Sequence, residues 1–410
     1  MIWALLFLGL ILIGRRTKIT FFSPLVLFYA FFITSIITSI VYHYNMPDEW
    51  KFNIANLDKI TNAEFWISIN VFAKMLTYFT VGALFYKYIF KSYKNVNFDF
   101  EFNVIVPKIN ASLLELISLL IILLNIILVW SLYGKEIFIR DSYATDYNKF
   151  GVMIMEYSLL FLIFLGGVLY KQRIGSSILI AFFVTIMCLG FGSRMATIFL
   201  IVYLFVIYIL YLNKGKRFIF RLVWIPFLIL FFGYNLSLRF CEYHGLGPYL
   251  LLPFNDPYAI IENTFFNIYY TIVFGVFATY KTLIENTPNY QYLATSLNPS
   301  PGFLTDWYSI YKSLRINPYA PFTTIGEIFS YPFIAFLFYF FIGMIFAYSE
   351  KVIQSLLSKR KFLTGFILFL LITAFIPYSF EYNLRSATRY VYYALIYATL
   401  LRTLSKVKFK

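Results

Sequence analysis

Charge, cysteine and histidine are all scarce in this chain. Asp, Glu, Lys and Arg make up only 13% of its 410 residues. A soluble fold of that length needs a far more charged surface, so the composition excludes a water-soluble globular protein. Of the two cysteines, Cys188 lies inside an apolar run and Cys241 just outside one, which argues against a disulfide framework. Two histidines, His43 and His244, are too few for a histidine-rich metal site. No Walker loop, glycine-rich dinucleotide turn, HExxH or DxD pattern occurs, which argues against a nucleotide-sugar transferase or an ATP-driven pump. No small-residue cleavage pattern follows the first apolar run at 2–13. Gly14-Arg15-Arg16 follows it, so the run reads as a short first span and not as a signal peptide.

The chain is instead 61% hydrophobic and 22% aromatic. Apolar runs near 2–14, 20–43, 65–90, 111–133, 152–170, 175–191, 194–212, 218–236, 326–349, 362–380 and 390–404 approach the ~20 residues that cross a bilayer. They predict an all-α fold: a polytopic transmembrane helix bundle of about eleven spans, or twelve, forming a single domain over 1–410. The net charge of +15 is spread over short segments between spans, so it reads as topology and lipid contact and not as nucleic-acid binding. Arg15 to Lys18, Lys91 to Lys108, Lys171 to Arg173, Lys214 to Arg217, Lys359 to Lys361 and Lys406 to Lys410 alternate with less basic loops. The positive-inside bias makes these segments cytoplasmic, which puts the N-terminus outside and the C-terminus inside.

One outer segment, 237–325, is long. It holds the turn-rich Asn298-Pro299-Ser300-Pro301-Gly302 and Asn317-Pro318-Tyr319-Ala320-Pro321. Its apolar stretch at 264–280 is long enough to span, but counting it would put the basic loop at Lys359 outside. It is therefore expected to be a re-entrant or interfacial helix. Its aromatics, among them Tyr290, Trp307 and Tyr311, suit sugar stacking and interfacial anchoring equally.

Against the charge bias, Arg140, Arg194, Arg239, Arg315, Arg385 and Arg389 fall at outer loops or helix ends. Arg194 follows Gly190-Phe191-Gly192-Ser193 at the start of a span, where a helix N-terminus and a guanidinium together form an anion clamp. Snorkelling to lipid headgroups is the equal alternative. Arg385 and Arg389 stand four apart, on one face if the final helix includes them. Candidate proton acceptors on the outer side are Glu327, Glu381, Asp256, Asp306 and His244, with no basis for choosing among them. Lys74 is a charge inside the third span, a functional signal or a snorkelling side chain. Glu156 and Glu115 are expected near the ends of their spans.

Arg140 with Gly151 and Arg315 with Gly326 repeat one spacing, Arg-x10-Gly, on outer loops that lead into a span. The pair resembles the paired motif of O-antigen polymerases, the Wzy family. The Gly192-Ser193-Arg194 turn, Ser23-Pro24, Asn298-Pro299 and Pro321-Phe322-Thr323-Thr324-Ile325-Gly326-Glu327 are similar to further elements of that family. The likeness covers nearly the whole chain, and its span count of eleven departs from the commonest twelve.

This resemblance implies a glycosyltransferase of the bacterial inner membrane that works at the periplasmic face without metal or cofactor. It would join undecaprenyl-diphosphate-linked oligosaccharide repeat units into a surface polysaccharide of O-antigen or capsule type. Arg194 and Arg315 carry most of the weight, with Glu327 and Glu381 as catalytic carboxyls. Arg140, Arg239, Arg385, Arg389, Gly151, Gly326 and His244 would bind diphosphate or glycan. A chain-length regulator and a flippase are the expected partners. An O-antigen ligase is the nearest alternative, and a flippase for the same lipid-linked units the next.

Overall fold

The computed structural model describes residues 23–52, 57, 59–89, 110–142, 148–192, 195–212, 214–300, 302–305, 307–317, 320–359 and 361–404. The predicted first span at 2–14, the basic segment 91–108, the tail 406–410, Asp306 and Arg194 with its Ser193 lie outside them. In chain order the helices are α1 (Pro24–Asn45), α2 (Asn62–Ile89), α3 (Ala111–Tyr133), α4 (Lys149–Leu169), α5 (Ile174–Gly190), α6 (Met195–Tyr211), α7 (Lys214–Ser237), α8 (Leu246–Asn255) and α9 (Pro257–Tyr269). After a π-helical turn at Tyr270–Phe274 come α10 (Gly275–Glu285), α11 (Tyr290–Leu297) and α12 (Trp307–Ile310). Strands β1 (Arg315–Asn317) and β2 (Ala320–Pro321) follow, then α13 (Thr324–Phe329), α14 (Pro332–Ser358), α15 (Phe362–Glu381) and α16 (Leu384–Leu404).

Among the described residues eight helical segments are long and apolar enough to cross a membrane, and α5 and α6 are shorter apolar helices. Among the described residues the only sheet is the two-residue to three-residue β1–β2 pair. The protein is thus an all-α membrane bundle. Sequence-local chemistry starts several helices. Ser23 Oγ accepts the Val26 amide ahead of Pro24, and Asn110 and Asn148 each accept two first-turn amides of α3 and α4.

The chain divides into two compact units, 1–99 with 269–410, and 100–268. In the first, α2 and α14 run side by side in the same direction, since Tyr78 meets Phe336 and Tyr86 meets Tyr348. Their backbones touch. A Cβ on Gly82 would lie 1.9 Å from the Phe340 carbonyl oxygen, and one on Gly343 2.1 Å from that of Phe79. Small residues permit this approach, which packing in lipid relies on where water supplies no hydrophobic drive. Helix α1 returns against α2 through Phe28, stacked on Phe79 at 3.8 Å. In the second unit α3 to α6 pack on a core of Val129, Leu159, Ile163, Val184 and Phe199.

The apolar stretch 264–280 belongs to a longer segment, Pro257–Glu285, which has the length and composition to cross. Its contacts in the first unit fall at one end of the α1–α2 pair. Tyr269 packs on Tyr42 in the last turn of α1, and Tyr280 donates to Glu64 in the first turn of α2 at 2.6 Å. Ser68 donates to the Val276 carbonyl at 2.5 Å, so residues 269–280 pack on the last turn of α1 and the first turns of α2.

Candidate functional site

Residues 286–331 fold over one end of the first unit. Asn289 caps α11 by accepting the Gln291 and Tyr292 amides. Asn298 Oδ1 accepts the Ser300 amide at 2.9 Å, so the Asn-Pro element is a side-chain-closed turn. Trp307, Ile310, Leu314 and Phe322 form a small apolar core of this segment.

Arg385, in the first turn of α16, is the clasp. Its side chain is 1% exposed. Nη1 donates to the Thr295 carbonyl and Nη2 to the Ser300 carbonyl, both at 2.5 Å, and Nη2 reaches Thr305 Oγ1 at 3.3 Å. The guanidinium lies 5.0 Å from the Trp307 ring centre. Arg315 on β1 lies 5.1 Å from the Tyr311 ring centre and donates to its hydroxyl at 3.2 Å. Trp307 and Tyr311 are neighbours at 5.9 Å. Two arginines distant in sequence thus stand at the two ends of one aromatic pair. Arg385 covers a face of Trp307 that was a candidate for sugar stacking, while Tyr290 is exposed.

The Pro-x-x-x-x-Gly-Glu element packs on α10. Thr323 caps α13 by accepting the Gly326 amide at 3.1 Å, and its hydroxyl meets that of Thr279 at 2.9 Å. A Cβ on Gly326 would fall 2.4 Å from Thr282 Cβ, so only glycine lets α13 press this closely on α10. Glu327 is then buried. Its Oε2 accepts the Leu384 amide at 3.3 Å, and Oε1 has no hydrogen-bond partner. Burial pushes its pKa up to about 8, against a smaller lowering by the Leu384 amide. Glu381 is buried at the end of α15 and Arg389 half-buried one turn beyond Arg385. The structure therefore brings Arg315, Gly326, Glu327, Glu381, Arg385 and Arg389 to one end of the first unit.

Arg140, Gly151, Arg239 and His244 belong to the second unit. Arg140 pairs with His244 through two backbone hydrogen bonds of 2.8 Å. Its Nη1 donates to the carbonyl of Gly190, the last residue of α5, at 2.7 Å, and to that of Glu136 at 3.2 Å. That satisfies an orphan helix carbonyl and places positive charge at a helix C-terminus. Gly245 is held at φ 113°, where a Cβ would meet the Phe138 carbonyl at 2.7 Å. His244 Nδ1 lies 3.0 Å from the Tyr249 hydroxyl, and burial together with the Arg140 charge lowers its pKa. Arg239 is exposed in the turn after α7, and Asp256 follows α8.

The two Arg-x10-Gly elements have a common local form. Gly151, like Gly326, gives its amide to the cap three residues earlier, Asn148 at 3.5 Å. Its open side packs on Leu132. Both glycines are thus third residues of a capped helix seated against a neighbour.

Lys74 lies on the exposed side of α2, one turn before Tyr78, which meets Phe336 close to the start of α14. The lysine is the thirteenth of the 28 residues of α2, near the middle of that helix. Among the described residues the buried lysine is Lys87, near the end of α2. It lies 3.7 Å from Glu350 Oε1, whose Oε2 accepts from Ser23 Oγ at 2.5 Å. Glu115 accepts from Ser176 and pairs with Arg173, and Glu156 is half-buried in α4. Among the described residues no group of three His, Cys, Asp or Glu could hold a metal ion.

Compared with family models, curated proteins and solved structures, the chain matches none.

Proposed function

We propose that the protein is a polymerase of lipid-diphosphate-linked oligosaccharide repeat units at the outer face of a bacterial inner membrane. The observation that carries this reading is a buried carboxyl, Glu327, at the end of the unit where Arg315, Arg385 and Arg389 gather. In the reaction an acceptor sugar hydroxyl attacks the donor's anomeric carbon, the bond from that carbon to the diphosphate breaks, and the lipid diphosphate departs. The half-buried Arg315 and Arg389 face the departing charge. Arg385 has its terminal nitrogens committed to Thr295, Ser300 and Thr305, so it orders the segment that presents Arg315. Glu327, with a pKa of about 8, is basic enough when ionised to take the hydroxyl proton.

The test uses the full chain in liposomes with labelled lipid-linked units. Wild type lengthens them, and Arg315→Ala and Arg389→Ala slow lengthening by about 100-fold, the loss typical of one donor to a developing anion. Normal lengthening by both variants would end the proposal. In cells, Arg194→Ala or Arg315→Ala leaves single-unit glycans on the surface and no long chains. Absence of all surface glycan from the lipid A core would indicate a ligase instead. Transfer of units across the bilayer without lengthening would indicate a flippase.

A further inference from the structure

At the other end of the first unit a cavity of about 260 Å³ opens among the last turns of α2, α14 and α16 and the start of α15. Lys351, Lys359 and Lys361 line it, with Thr364 and Leu401 among the remaining wall residues. Among the described residues none of these three lysines forms an ion pair. The carboxylate next to them in sequence, that of Glu350, is 1% exposed and turned to Ser23 and Lys87. Three ammonium groups round one cavity repel each other unless an anion sits between them. An anion therefore stabilises this arrangement.

The surroundings specify the rest of the ligand. The same end of α2 and α16 exposes Phe85, Tyr88, Ile89 and Leu400. A molecule with an anionic head and apolar tails satisfies both surfaces, with the head in the cavity and the tails along these side chains. Lysine suits this better than arginine, because an ammonium is a compact charge with rotatable donors and accepts varied phosphate geometries. We propose that this cavity binds the phosphate of an anionic phospholipid headgroup.

The shared chemistry is a phosphate, so the test separates a lipid from a soluble source. Purified full-length protein in neutral detergent is titrated with phosphatidylglycerol, phosphatidylcholine and inorganic phosphate, and retained lipid is counted by native mass spectrometry. Phosphatidylglycerol is retained about tenfold over phosphatidylcholine, in line with the attraction of clustered lysines to anionic lipid. The variant Lys351→Gln/Lys359→Gln/Lys361→Gln loses that preference, and the same three positions changed to Arg keep it. Displacement of phosphatidylglycerol by inorganic phosphate at equal concentration would overturn the lipid assignment. A helical glutamine variant that still prefers phosphatidylglycerol overturns the site. Should the glutamine variant not fold, Leu401→Trp fills the cavity without altering charge, and full retention by that variant overturns the proposal equally.

Discussion

Glu327 accepts the backbone amide of Leu384, and this one bond at 3.3 Å ties the six-residue helix α13 to the first turn of α16. Leu384 is followed by Arg385, whose guanidinium grips the carbonyls of Thr295 and Ser300. The segment 286–331 is thus held from two sides by adjacent residues of one helix start. Asn383 completes that start by accepting the Ser386 amide at 3.0 Å. The chemistry proposed for this end depends on the geometry these contacts fix.

Glu327 gives stability a pH dependence opposite to that of an ion-paired carboxylate. Its folded pKa of about 8 lies above the ordinary value of 4.5 expected when unfolded. Below pH 4.5 the carboxyl is neutral in both states, and its contribution is fully present. Between 4.5 and 8 the unfolded chain has released the proton and the folded chain retains it, so stability falls as pH rises, by at most about 1.4 kcal/mol per unit. Above 8 the slope from this group ends. Thermal unfolding between pH 5 and 9 should show a falling midpoint for wild type and a flatter one for Glu327→Gln. Equal slopes in the two proteins would mean that Glu327 does not titrate in this range.

Arg385→Lys should loosen the segment 286–331 while leaving the helices packed. A single ammonium cannot reach two carbonyls and a hydroxyl in a planar fork, nor replace the guanidinium against Trp307. Thr295 keeps the Asn298 amide, so the loss falls chiefly on the Ser300 carbonyl, at about 1–3 kcal/mol for one buried group. Protease cleavage within 298–317 should speed up at least tenfold, with helix content by circular dichroism unchanged. Wild-type cleavage rates in the variant would show that the clasp is not what orders the segment.

Helix positions were legible because an apolar run of the right length leaves little choice. The run 111–133 coincides with α3 at Ala111–Tyr133. Where runs and helices part, punctuation explains it. The run 326–349 resolves into α13 and α14 because Pro332 starts a helix readily and continues one poorly. The final helix begins at Leu384 and not at 390, since Asn383 supplies a cap that hydropathy does not register. Arg315 and Arg385 were legible as unusual arginines, but their stations on Tyr311 and Trp307 depend on how the intervening chain folds back. Lys87 and Glu350 gave no signal at all. Each reads as an ordinary charge near a helix end, and only the packing of α1, α2 and α14 buries them.

That buried pair yields a test with a definite sign. Lys87 and Glu350 are 5% and 1% exposed, 3.7 Å apart, and joined to the cap of α1 through Ser23 Oγ. Removing one partner leaves the other charge without compensation in an apolar surrounding, which typically costs about 3–5 kcal/mol. Replacing both by apolar side chains removes two desolvation penalties together with the attraction, and such exchanges are often neutral or stabilising. Lys87→Met and Glu350→Leu should therefore each lower the unfolding midpoint in detergent, and the double variant should recover most of the loss. Additive losses in the double variant would contradict this account, because additivity is what independent sites give and coupled ones do not.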